Sequence, residues 1–157
     1  MRFIIPYPPT KAGKSEWCKE YGLNAYWAGK FWAKRKADAE YWHCLVHAEL
    51  RKQGVKPRLA GKPVSITFRW NDRLDLSNHA AMAKMIEDAV KGWIIQDDSR
   101  QWVHEIRHLW HDENYIEVEI KERKIQTISR NKMRHLFLGC LLQSRIYIRN
   151  RRHTCFR

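Results

Sequence analysis

Residues 63–98 read PVSITFRWNDRLDLSNHAAMAKMIEDAVKGWIIQDD and contain the clearest strand and the clearest helix of the chain. The first eight of them, residues 63–70, alternate strictly between apolar and polar side chains. That pattern is typical of a strand with one face in the core. Its apolar positions are Val64, Ile66, Phe68 and Trp70. The sequence therefore predicts a half-buried strand here.

A helix is predicted after this strand, from about His79 to Lys91, because apolar residues recur at spacings of three and four. Its core positions would be Met82, Met85, Ile86, Ala89 and Trp93. Ser77 or Asn78 can cap the N-terminus, and Gly92 can end the helix. Lys84, Asp88 and Lys91 fall on a different stripe, so their charges should lie together.

The rest of the first 120 residues supplies three more strands and one long helix. We predict strands at 2–6, 102–110 and 115–120, and a helix from about Phe31 to Gln53 that ends at Gly54. Residues 10–30, rich in Gly, Lys and aromatic residues, are predicted to form a long ordered loop. The resulting order indicates an α/β (α+β) domain, with two main helices packed on one face of a small mixed sheet.

Charge divides the 157-residue chain into two parts. Residues 121–157 contain 11 of the 30 Lys and Arg residues but only one of the 17 acids, Glu122. This stretch is interpreted as a basic C-terminal extension of unknown role, following a domain at 1–120. A basic segment can bind nucleic acid, but it can equally be a solvated tail.

The cysteine pattern and the hydropathy bear on the compartment. The four cysteines show no close pairing, and the apolar part of the N-terminus is too short for a secretory signal. No run reaches about 18 apolar residues, so no membrane span or membrane partner is expected. We therefore predict a cytoplasmic protein with reduced thiols.

Acidic residues stand on both sides of the predicted helix at 79–91. Asp75 precedes it, Asp88 lies on it, and Asp97 and Asp98 follow in a turn. Carboxylates gathered in this way can bind a divalent cation such as Mg²⁺, and Lys84 beside them can meet a phosphate. The pattern favours phosphodiester chemistry, although a Lys84–Asp88 surface pair and a simple turn at 97–98 would explain the same residues.

Four motifs in order resemble the RusA family of Holliday junction resolvases. They are IPYPP at 5–9, Leu23-Asn24, DLSN at 75–78, and Lys84 followed by DAV at 88–90 and the pair Asp97-Asp98. The resemblance covers about residues 3–120. It implies an α/β homodimer that binds four-way DNA junctions and cuts two strands symmetrically with Mg²⁺.

The resemblance also implies roles for single residues. Asp75 and Asp98 would be metal ligands, Asp97 would lie beside the site, and Lys84 would be the essential lysine. Ser77 stands where the family often has a second aspartate, and three extra residues separate Asn78 from Lys84. Asp72 or Asp88 could then supply the third carboxylate.

DNA contacts are predicted at basic and amide side chains, several of which lie in a stretch where basic residues interleave with aromatic ones. Lysines can follow phosphates, and aromatic rings can stack on unpaired bases. The candidates are Asn24, Lys30, Lys34, Arg35, Arg73 and Asn78. A solvated basic face over packed aromatic rings is the competing interpretation.

Two other functions compete with the nuclease hypothesis. Ser77 in place of an acid suggests a catalytically impaired protein that only binds junction DNA. The basic tail suggests a small RNA-binding or regulatory protein. Zinc binding at His104, His108 and His111 is disfavoured, because a strand there would place His111 on the opposite face.

Overall fold

The computed structural model describes residues 1–123, the first of the two compact units into which the chain divides. The elements are β1 (Arg2–Pro6), α1 (Lys11–Tyr21), α2 (Leu23–Trp27), α3 (Trp32–Lys52), β2 (Val64–Trp70), α4 (Ala80–Val90), β3 (Val103–Trp110) and β4 (Tyr115–Glu122). A 3₁₀ turn, Leu76–His79, leads directly into α4. Beyond residue 123, the predictions about the basic extension lie outside the described residues. Within residues 1–123, no helix is both long and apolar enough to cross a membrane.

The four strands form one mixed sheet in the order β1-β4-β2-β3. β4 pairs antiparallel with both β1 and β2, whereas β2 and β3 run parallel. A parallel neighbour requires a crossover connection, and α4 provides it between β2 and β3. The predicted small α+β fold with a mixed sheet is confirmed.

One face of this sheet carries the core. The predicted alternation in β2 is confirmed, since all four of its apolar positions are buried. Trp42, Val46 and Leu50 of α3 and Met82 and Ile86 of α4 are buried in the same hydrophobic cluster. The opposite face of the sheet is polar, with Arg69 paired to Glu117 and Glu119. The two long helices therefore pack on one side, as predicted.

The prediction of a long loop at residues 10–30 is wrong, because two helices occupy this region. Thr10 begins α1 by accepting a hydrogen bond from the Gly13 N–H at 3.0 Å. Trp17 and Tyr21 then pack on Trp42 of α3. The ring centroid of Trp17 lies 4.9 Å from that of Trp42, and the centroid of Tyr21 lies 5.6 Å from it. The four-residue spacing of these rings is helical, and the high Gly and Lys content of the segment obscured it.

The predicted cap of α4 is also wrong. The 3₁₀ turn begins after Asp75, and neither the turn nor α4 has a side-chain cap. Asn78 instead donates its own N–H to the Asp75 carbonyl at 2.9 Å. The backbone of the turn thus takes the place of a capping side chain. The other end is as predicted, since Gly92 follows α4 with φ +75°.

Candidate functional site

Lys84 on α4 joins the two acidic segments that the sequence placed on either side of it. Its ammonium group bonds Asp88 at 2.7 Å and also contacts the carboxylate of Asp98. Glu87 lies 3.9 Å from the same nitrogen. Asp88 and Asp98 therefore converge on one cationic point, although ten residues separate them in the chain.

Lys91 adds a second cation beside the first. Its nitrogen lies 3.4 Å from Asp98, 3.7 Å from Asp88 and 4.0 Å from Asp97. We refer to Glu87, Asp88, Asp97 and Asp98, with Lys84 and Lys91, as the acidic cluster. Four carboxylates face two ammonium groups, so the cluster keeps excess negative charge when all six are ionised.

The local backbone explains why the cluster forms. Residues three and four apart on a helix are neighbours, which brings Glu87 and Asp88 next to Lys84. Gly92 then reverses the chain, and its N–H donates to the Ile95 carbonyl at 2.8 Å. This turn returns Asp97 and Asp98 to the side of α4. A left-handed φ is unfavourable for residues with a side chain, so the turn depends on glycine.

The ion pairs hold two groups of the cluster in their charged forms. Partial burial disfavours the ammonium form of Lys84, but the bonds to Asp88 and Asp98 outweigh it and raise its pKa. The hydrogen bond from Lys84 in turn lowers the pKa of Asp98. At neutral pH Lys84 is therefore a fixed positive charge rather than a proton acceptor.

Glu87 behaves in the opposite way and was missed by the sequence reasoning. It is 5% exposed, and burial is the main cause that raises its pKa; the charge of Lys84 opposes this effect, and the charges of Asp98 and Asp88 add to it. Its position three residues after Lys84 was the available signal.

Asp72 does not belong to the acidic cluster, which corrects its prediction as a metal ligand. Its carboxylate accepts bonds from Tyr7 Oη at 2.8 Å, the Leu74 N–H at 2.8 Å and His79 Nε2 at 2.9 Å. Burial disfavours the charged carboxylate and so tends to raise its pKa. The hydrogen bonds that it accepts, the one from His79 above all, outweigh burial, and the pKa of Asp72 is lowered. Asp72 therefore anchors the chain between β2 and α4 from inside the protein.

Asp75 stands at the end of this anchored segment, before the 3₁₀ turn. No hydrogen bond or ion pair within residues 1–123 connects its side chain to the acidic cluster. Its role as a metal ligand stays a prediction. The Tyr7–Asp72–His79 network, which fixes the segment leading to Asp75, was not foreseen from the sequence.

A groove of about 590 Å³ lies between α1 and the segment 71–78. It brings together three of the predicted DNA-binding residues, Asn24, Arg73 and Asn78. Lysines 11, 14 and 19 of α1 line the same groove. Because α1 was predicted as a loop, the sequence indicated these lysines only as part of a basic stretch. The helix places them on the groove.

The other predicted DNA-binding residues are partly engaged inside the protein. Lys30 is 10% exposed at its side chain, lies 2.5 Å from the buried Asp38 and pairs with Glu20 at 3.0 Å. These contacts leave little of Lys30 for a DNA phosphate. Lys34 pairs with Glu20 at 3.3 Å but is 58% exposed, and Arg35 donates to the Lys30 carbonyl. Both of these side chains remain accessible.

The fit to a magnesium ion can be judged from the donors. Within residues 1–123, no group of three or more His, Cys, Asp or Glu side chains is arranged to hold a metal. Mg²⁺ is commonly bound by one or two carboxylates together with waters and substrate phosphates. Asp88 and Asp98 both contact the Lys84 ammonium group, so a two-carboxylate site here requires their oxygens to turn from that group to the ion.

The comparisons with known proteins give no assignment. No family model matches the chain, and no curated protein matches it.

Proposed function

We propose that this protein is a Mg²⁺-dependent endonuclease of the RusA family that acts, as a homodimer, on four-way and other branched DNA. The observation that carries the proposal is the contact of Lys84 with both Asp88 and Asp98. Together they place two carboxylates and a permanently charged amine at one exposed point of the surface. Hydrolysis of a phosphodiester requires oxygen ligands for a cation and a positive charge near the phosphate.

The residues of the acidic cluster have separate roles in this proposal. Asp88 and Asp98 would hold the ion, which supplies an activated water and neutralises charge on the phosphate. Lys84 would orient the scissile phosphate and stabilise its developing charge. The contacts with Asp88 and Asp98 raise the pKa of Lys84, which favours a role as a positive charge over one as a general base. Asp75 would complete the ligand set once DNA is bound.

The groove beside α1 is proposed to hold the DNA backbone next to the cut. Its lysines supply the charge for phosphate contacts, and Asn24 and Asn78 supply hydrogen-bonding amides. Asn78 lies in the 3₁₀ turn and precedes Lys84 on α4 by six residues. The proposal requires a strand lying in the groove to continue to the acidic cluster.

The test is cleavage of a synthetic four-way junction by the full-length protein. We expect cuts with Mg²⁺, none with EDTA, and none from Asp98→Asn, which keeps the shape but loses the charge. Asp112→Asn is the matched control, because Asp112 lies outside the acidic cluster and its side chain makes none of the contacts described for that cluster. Equal cleavage by Asp98→Asn and the wild type would reject the proposal.

A second candidate function is junction binding without catalysis. It is favoured by Ser77 at a position where the resemblance implies an acid, and by the two lysines that neutralise half of the acidic cluster. Salt-sensitive binding of the junction, with no cleavage at any Mg²⁺ concentration, would select this alternative.

A further inference from the structure

The two outer strands of the sheet differ in how their free edges are protected. At β1, the Gln53 side chain bonds both main-chain groups of Ile4. Its Oε1 accepts from the Ile4 N–H at 2.9 Å, and its Nε2 donates to the Ile4 carbonyl at 2.7 Å. A side-chain amide thus takes the place of a neighbouring strand. Covering an edge in this way prevents it from pairing with another chain.

β3 forms the other edge, and within residues 1–123 nothing covers it in this way. The His111 N–H donates to the Trp70 carbonyl at 3.1 Å. Main-chain groups alternate in direction along a strand, so residues 105, 107 and 109 also face β2, whereas 106, 108 and 110 face outward. Ile106 and Trp110 are 42% and 49% exposed. Among residues 1–123, the edge therefore offers main-chain groups without a partner, together with exposed apolar side chains.

We propose that β3 pairs antiparallel with β3 of a second copy of this chain, about a two-fold axis beside Ile106. Ile106 would then face its own counterpart, and its outward main-chain groups would form the central hydrogen bonds. The exposed Ile106 and Trp110 would be buried between the copies. The two four-stranded sheets would become one continuous sheet.

Charge complementarity favours this position of the axis over the axes at the two neighbouring charged residues. Glu105 and Arg107 lie on the same face of β3, where they bond each other at 2.8 and 3.0 Å. With the axis at Ile106, Glu105 faces Arg107 of the second copy, and the reverse contact forms by symmetry. An axis at Glu105 or at Arg107 would place like charges opposite each other. An axis between two residues would pair a residue whose main-chain groups point outward with one whose groups point toward β2, and such a pair cannot form hydrogen bonds between the copies.

This inference rests only on the homodimer part of the proposed function, and it names the surface that forms the dimer. It is tested by sedimentation of the full-length protein without DNA or metal. The wild type should be a dimer. Arg107→Glu and Glu105→Arg should each weaken the dimer about tenfold or more, because each creates two like-charged cross-strand pairs.

Mixing separates contacts between copies from the Glu105–Arg107 bond within one copy. An equimolar mixture of Arg107→Glu and Glu105→Arg chains should recover the dimer. In the mixed dimer, the arginine introduced at position 105 of one chain faces the glutamate introduced at position 107 of the other. Lys56→Glu is the control, since it also replaces a basic residue by an acid, at an exposed site outside β3.

Three results would overturn the inference: a monomeric wild type, single variants that dimerise as the wild type does, or a mixture no more dimeric than either variant alone. A dimer that behaves as expected but cuts no junction would count against the nuclease proposal alone.

Discussion

At the scale of single residues, the net charge of the acidic cluster is set by the protonation states of its side chains. Lys84 contacts two carboxylates and keeps its proton, Asp98 keeps its negative charge, and buried Glu87 is the acid most easily neutralised. Surface ion pairs of this kind contribute little to stability, with typical values of about 0–1 kcal/mol. These pairs therefore add little to the stability of the fold.

Lys84→Met should therefore separate activity from stability. We expect junction cleavage to fall by about 100-fold or more, as for loss of a preorganised charge at a transition state. The free energy of unfolding should change by less than about 1 kcal/mol. Cleavage rates and urea denaturation measure the two effects. Lys91→Met removes the same charge from the same cluster, and a loss of cleavage as large as that of Lys84→Met would show that Lys84 has no special role.

At the scale of elements, the turn after α4 and the helix α1 build the two halves of the site. Gly92 allows the chain to reverse so that Asp97 and Asp98 reach α4. α1 presents its lysines along the groove because Trp17 and Tyr21, on another face, are held against α3. In both cases a local backbone feature positions charged groups that are distant in sequence from those they meet.

Gly92→Ala should destabilise the protein although there is space for the added methyl group. A Cβ at Gly92 meets nothing within 4 Å, so the whole cost comes from φ +75°, and a left-handed backbone costs roughly 1–2 kcal/mol for a residue with a side chain. Gly61→Ala is the matched control, since its Cβ also meets nothing and its φ lies outside that region. Thermal unfolding of both variants measures the difference, and equal melting temperatures would contradict the prediction.

Replacing Lys11 and Lys19 of α1 by alanine should weaken junction binding and reduce its dependence on salt. For every phosphate that is no longer neutralised, the slope of log K against log salt should become shallower by roughly 0.9. Fluorescence anisotropy with a labelled junction at several salt concentrations gives the slope. A double change of Lys52 and Lys56, which are exposed and do not line the groove, is the control. An unchanged slope in the α1 variant would exclude the groove as a backbone site.

At the scale of the whole molecule, carboxylates with lowered pKa values link stability to pH. Asp72 is bonded to His79, Asp98 to Lys84, and Glu119 to Lys121, and the pKa of each acid is lowered. A lowered pKa in the folded state adds stability above the unfolded value, and that contribution disappears as pH falls through the folded value. The pKa of Glu87 is raised, so its contribution to the free energy of unfolding changes with pH in the opposite direction.

The free energy of unfolding should therefore decline as pH falls below about 4, close to the ordinary aspartate value of 3.8. Asp72→Asn should be less stable than the wild type at pH 7, and the gap between the two should narrow towards pH 2. Urea denaturation at a series of pH values tests this, with Asp112→Asn as the control. A gap that stays constant from pH 7 to pH 2 would show that the charge of Asp72 does not stabilise the fold.

The sequence by itself determined the strands, the two long helices and the meeting of Lys84 with Asp88. These depend on periods of 2 and 3.6 residues, which are local properties of the chain. Only the tertiary structure decided that Asp98 joins Lys84 and that Asp72 belongs to a buried network with Tyr7 and His79. Those outcomes depend on which surfaces pack against each other, and such contacts link residues whose spacing in the sequence carries no periodic signal.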